Sequence, residues 1–85
     1  MLFRSFNPST SIRFSLRTSG TVTLKVYNLL GEEVATLVNE KMDIGNYEST
    51  LNATQLASGV YFYRLNIVSN NGSKFSESKK MLLLK

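Results

Sequence analysis

The sequence predicts an all-β domain, an antiparallel β-sandwich of about seven short strands with one short helical turn. Three observations carry this. Apolar residues recur at every second position along most of the chain, the period of a half-buried strand. Turn-forming residues interrupt that alternation at intervals of about 8–12 residues, as in a sandwich. No stretch has apolar residues at helical spacing over a useful length. Period alone leaves a small closed barrel as the alternative architecture.

The elements follow in order. Ser11 to Leu16 alternates, with Ile12, Phe14 and Leu16 on one face and Arg13 on the other. Ser19-Gly20 marks a turn, and Thr21 to Tyr27 alternates again with Val22, Leu24 and Val26 inward. Leu29-Leu30-Gly31-Glu32 breaks the run, with Gly31 free to take a positive φ. Glu33 to Val38 is a third strand rich in β-branched residues, and Gly45 opens a fourth from Asn46 to Leu51. Asn52 to Ser58 does not alternate; Asn52 ahead of Ala-Thr-Gln-Leu-Ala reads as the cap of a single helical turn with Leu56 inward. Val60 to Ser69 is the longest strand signal, with Tyr61, Tyr63, Leu65 and Ile67 on one face. Asn70-Asn71-Gly72-Ser73 then predicts a hairpin with a type I′ turn, leading into a return strand from Lys74 to Leu84. The expected core joins Ile12, Phe14, Val22, Leu24, Val26, Tyr61, Tyr63 and Leu65.

Eighty-five residues allow one domain. Four tyrosines and five phenylalanines supply much of its buried area. With no cysteine, disulfides and thiolate chemistry are excluded; with no histidine, the commonest general base and metal ligand are gone as well. The six carboxylates are scattered, and the only neighbouring pair, Glu32-Glu33, sits beside a turn glycine where solvated charge is the ordinary role. No phosphate-cradling loop, paired acid and base, or nucleophile with a neighbouring base can be assembled, so the chain reads as no enzyme, with no cofactor and no metal. Ten basic residues against six acidic give a net charge of +4, spread along the chain except for the doublet Lys79-Lys80. No segment passes as a signal peptide or membrane span, so an exported form needs a signal supplied from further upstream.

Four motifs invite a sharper reading. Leu56-Ala57-Ser58-Gly59-Val60-Tyr61 places a glycine two residues before an inward tyrosine after a short loop, the arrangement of the tyrosine corner in immunoglobulin-like sandwiches. The bland alternative makes Tyr61 an ordinary strand aromatic, and both roles are structural. Tyr61-Phe62-Tyr63-Arg64 has the composition of a nucleic-acid stacking platform, but Tyr61 and Tyr63 share the core face of Leu65 and Ile67, so no nucleic-acid partner is expected. Asn52-Ala53-Thr54 and Asn71-Gly72-Ser73 match the glycosylation pattern, yet both lie in turns that favour Asn in any case. Finally, Lys79-Lys80-Met81-Leu82-Leu83-Leu84-Lys85 runs four apolar residues together, which a strand with one buried face does not need. Either this is a last strand buried on both sides, or it is an apolar and basic terminus that another protein grips as an added strand.

Several of these landmarks, in this order, resemble one family. Phe6-Asn7-Pro8-Ser9-Thr10, Ile12-Arg13-Phe14-Ser15-Leu16, Val26-Tyr27-Asn28-Leu29-Leu30-Gly31-Glu32-Glu33-Val34, Leu56 to Tyr61 and Lys79 to Lys85 together are similar to the C-terminal sorting domain of type IX secretion cargo. The resemblance covers about residues 6–85, with Met1 to Ser5 an atypical lead where members usually carry a Tyr-Pro-Asn-Pro-type approach to Phe6. It implies an immunoglobulin-like domain, similar to that of the flagellar hook-capping protein, at the end of proteins exported to the surface of Bacteroidetes-related bacteria. It implies further that the outer-membrane machinery is the partner and that a cargo domain, missing from this chain, precedes it. The expected sorting-signal residues are Lys79, Lys80, Met81, Leu82, Leu83, Leu84 and Lys85, presented by a corner at Gly59 and Tyr61. The alternative function is a passive structural or adhesive immunoglobulin-like module of an extracellular protein.

Overall fold

The computed structural model describes residues 9–83. These residues form six strands: β1 Ser9–Leu16, β2 Gly20–Tyr27, β3 Glu33–Met42, β4 Gly45–Asn52, β5 Gly59–Ser69 and β6 Lys74–Leu83. β1 and β4 form one antiparallel sheet, and the other has the order β3-β2-β5-β6. The architecture is a sandwich of the immunoglobulin-like kind, not a closed barrel, because two separate sheets face each other across one core. Six strands stand among the described residues where about seven were expected.

The alternation does what it predicts. Ile12, Phe14 and Leu16 of β1 point inward against Val22, Leu24 and Val26 of β2 and Tyr61, Leu65 and Ile67 of β5. Val22, Leu24, Val26 and Leu51 are the largest fully buried side chains. Tyr63 departs from the expected core and is only half-buried, packed against its margin. The reason is coverage: strands in a sheet lie about 4.8 Å apart, so a two-stranded layer cannot roof a four-stranded one. The β5–β6 side is left as a groove of about 730 Å³ lined by Phe14, Tyr47, Tyr63, Leu65, Ile67 and Phe75, with the Phe14 and Tyr47 rings stacked at 5.6 Å.

Two turns differ from expectation. No helix forms among the described residues, and the Asn52–Ser58 stretch makes a β-turn instead of a helical one. The Leu56 N–H donates to the Ala53 carbonyl at 3.0 Å, the Asn52 side-chain oxygen accepts the Thr54 N–H at 3.0 Å, and the chain then enters β5. The Asn52 side chain and the Leu56–Ala53 bond close the stretch as a turn, and such a local side-chain bond competes with a further helical step. The β5–β6 hairpin is likewise not type I′, which needs positive φ at both central residues; only Gly72 has it, at +88°. The Gly72 N–H bonds to the Ser69 carbonyl at 2.9 Å and the Ser69 N–H to the Ser73 carbonyl at 2.8 Å, a three-residue loop with its glycine in the left-handed region.

The β2–β3 hairpin repeats that device. Gly31 N–H bonds to the Asn28 carbonyl at 3.0 Å, and the Asn28 N–H to the Glu32 carbonyl at 3.0 Å. The Asn28 side-chain oxygen accepts the N–H groups of Leu30 and Glu32 at 2.9 and 3.0 Å, while its amide donates to the Glu32 carboxylate at 2.9 Å. One side chain thus fixes the hairpin tip. Asn28→Ala is expected to cost about 1 kcal/mol, the net worth of solvent-competed hydrogen bonds, read as a small drop in the urea midpoint. β3 also runs on to Met42, past the expected end at Val38, because Asn39, Glu40 and Lys41 continue the ladder with β2 despite their polarity.

Candidate functional site

The expected site residues lie on β5 and β6, and the ladder between those strands decides which way each one points. Residues directly opposite in an antiparallel pair share a face. Gly59 stands opposite Leu83, Tyr61 opposite Met81, and Tyr63 opposite Lys79 on the inward face; Val60 stands opposite Leu82 and Phe62 opposite Lys80 on the outward one. The apolar run is therefore split. Leu83 is buried at 5% exposure and Met81 is half-buried against the core, while Leu82 on the other side is 63% exposed. Lys79 and Lys80 are both exposed, one on each face. Leu84 and Lys85 lie outside the described residues, as does the Phe6-Asn7-Pro8 part of the resemblance.

Gly59 and Tyr61 meet the inward half of this strand. The Tyr61 ring is 7% exposed and its hydroxyl donates to the Ala57 carbonyl at 2.7 Å, reaching back across the loop that precedes β5. Gly59 has φ +155°, a conformation that L side chains rarely adopt. It sits where the chain turns from the loop into the ladder with Leu83. The loop, the corner contact and the end of β6 are thus one packed unit.

β6 is an edge strand, pairing only with β5 among the described residues. No described residue pairs with its other backbone edge, and an unpaired edge of N–H and C=O groups is a template on which a further strand can add. Its side chains are exposed from Lys74 to Lys80, including Phe75 at 55% exposure on the groove side. The groove residues Tyr47, Phe75 and Glu77 were not singled out from sequence; strand parity counted back from Leu83 would have placed Phe75 and Glu77 on the inward face. Among the described residues, no three His, Cys, Asp or Glu side chains come together as metal ligands.

The two antiparallel sheets define a small immunoglobulin-like sandwich whose last described strand stands at a sheet edge. The family model of the secretion system C-terminal sorting domain matches residues 7–82, nearly the whole chain, and the chain belongs to that family. The match agrees with the resemblance read from the order of its motifs. No curated protein and no solved structure matches the chain. Membership makes the domain a C-terminal sorting signal for type IX secretion, which implies interaction with that machinery and export to the cell surface or the medium.

Proposed function

We propose that the export machinery at the outer membrane reads the end of β6, with Lys79, Lys80, Met81, Leu82, Leu83, Leu84 and Lys85 as the signal and the Gly59–Tyr61 corner as its support. Residues 6–85 act as one domain behind an N-terminal cargo. The observation that carries this reading is that β6 is a sheet edge bearing exposed Lys79, Lys80 and Leu82. A receptor strand added to that edge gains main-chain hydrogen bonds, Leu82 offers an apolar anchor, and the lysines steer the encounter. The inward residues Met81 and Leu83 serve by holding the strand on the sandwich.

The domain catalyses nothing in this reading; its work is to be bound. The test is Lys79→Ala with Lys80→Ala, in a reporter carrying a signal peptide and this domain, in a bacterium with a working type IX system. Exposed charges contribute little to stability, so the doubly substituted domain is expected to melt like the parent. The expected result is retention of the reporter in the periplasm. Surface display at the parent level by a folded variant would remove the lysine pair from the signal.

A further inference from the structure

Among the described residues nothing packs on the outward face of the four-stranded sheet, and its composition is one-sided. The register lays it out in rows: Lys41, Thr21, Val68 and Lys74; then Asn39, Thr23, Asn66 and Ser76; then Thr36, Lys25, Arg64 and Ser78; then Glu33, Tyr27, Phe62 and Lys80. Lys25, Lys41, Arg64, Lys74 and Lys80 therefore share the paired strands of one face with a single carboxylate, Glu33, while Glu32 stands at the hairpin tip with its carboxylate held by the Asn28 amide. The Glu33 carboxylate is already committed. The Thr36 hydroxyl donates to it at 2.6 Å and Lys25 pairs with it at 3.2 Å, and together they hold it below its ordinary pKa. Glu40 and Glu77 fall on the opposite, inward face by the same register.

One end of this face is apolar. The hairpin tip fixed by Asn28 holds Leu29 and Leu30 at 68% and 83% exposure, with Leu29 and the exposed Phe62 lining one cleft. Between the tip and β5 lies a cleft of about 350 Å³ lined by Tyr27, Leu29, Gly31, Phe62 and Arg64. The Arg64 guanidinium sits over the Tyr27 ring at 5.8 Å and its Nε–H donates to the Ser78 hydroxyl at 3.2 Å, so a cation is held at the rim of a slot whose lining mixes Leu29 and Phe62 with Asn28 and Ser78.

We infer that this face is a docking surface for an acidic protein carrying an apolar projection. The projection enters the cleft between Leu29 and Phe62, a carboxylate beside it meets Arg64, and further acidic groups meet Lys80 and the outlying lysines. Charge complementarity requires an anionic partner. The cleft selects a protein over a lipid surface, because a bilayer has no fixed projection with which to fill it. The inference rests on the reading of the chain as a sorting tail and deepens it: the recognised surface is assembled from β2, the β2–β3 tip, β5 and β6, and does not consist of the terminal strand alone.

The experiment uses the same secreted reporter with three variants of the domain. Leu29→Ser with Leu30→Ser removes the apolar tip, and Arg64→Glu with Lys74→Glu reverses the rim cation and an outlying lysine, both outside the terminal residues 79–85. Arg13→Glu with Arg17→Glu makes the same charge change away from this face. The first two are expected to lower surface reporter about tenfold or more with unchanged melting, as loss of a central interface contact does. The third is expected to leave display unchanged. Folded tip and rim variants displayed at the parent level would overturn the inference while leaving the sorting function standing. Failure of the parent domain itself to export the reporter would sink the sorting reading, and this surface with it. In parallel, purified parent and variants are sedimented with phosphatidylglycerol vesicles. Vesicle binding by the parent that both face variants lose would reassign the surface to lipid and overturn the protein partner.

Discussion

Tyr61→Ala is expected to cost about 3–5 kcal/mol, the range for truncating a buried aromatic, and in a domain this small that is enough to unfold most of the population. The ring is almost fully buried among the core residues, and its hydroxyl closes the loop onto β5 through the Ala57 carbonyl. Truncation removes both the packing and the partner of that carbonyl. Tyr61→Phe separates them: it keeps the ring and is expected to lose only about 1 kcal/mol, the net worth of one hydrogen bond. Urea denaturation of the pair decides it. A loss below about 1 kcal/mol for Tyr61→Ala, far under the usual range, would make the ring peripheral and leave the corner without support.

The second large effect falls inside the apolar run at the end of β6, where neighbours of identical chemistry face opposite ways. Leu83→Ala is expected to cost about 2–5 kcal/mol, whereas Leu82→Ala, one residue earlier, is expected to stay within about 0.5 kcal/mol. The cause is the ladder, which sets Leu83 opposite Gly59 in the core and Leu82 opposite Val60 in solvent. Thermal melts of the two variants make the comparison. Equal costs would mean that both faces of the strand are buried alike, or neither. The same split bears on export, since removing the end of β6 strips core together with the proposed signal, while substituting Lys79 and Lys80 touches only exposed charge.

The strands were legible because one physical signal, burial on one face, writes itself into the sequence at every second position. That sufficed to place Ile12, Phe14, Val22, Leu24, Val26, Tyr61 and Leu65 in the core. What was not legible depends on neighbours that are distant in sequence. Tyr63 alternates as well as Tyr61 does, but its burial is decided by how far the β1–β4 layer reaches over β5, and it falls at the margin. Ala53 is fully buried without being predicted so, because the stretch read as a capped helical turn and a lone alanine carries no period. The Asn-Gly pair at 71–72 correctly marked a hairpin, yet the loop length and the side-chain bonds of Asn71, not the dipeptide, chose the turn. The terminal site shows both sides of this. The run Met81 to Leu84 was visible as an anomaly, while its division into Met81 and Leu83 inward and Leu82 outward needed the register. The cationic face is invisible in a chain whose basic residues look scattered, because only strand pairing gathers Lys25, Lys41, Arg64, Lys74 and Lys80 onto one side.

A sorting signal must act from the end of its protein, whereas a structural or adhesive module works from any position. The most direct measurement therefore places this domain after a folded reporter, before it, or not at all, behind one signal peptide in a bacterium with a working type IX system. Surface and periplasmic reporter are then counted in each case. The account predicts surface display only when the domain is C-terminal, with the other two arrangements held in the periplasm. Equal display from both positions, or none from the C-terminal one although the domain is folded, would contradict it.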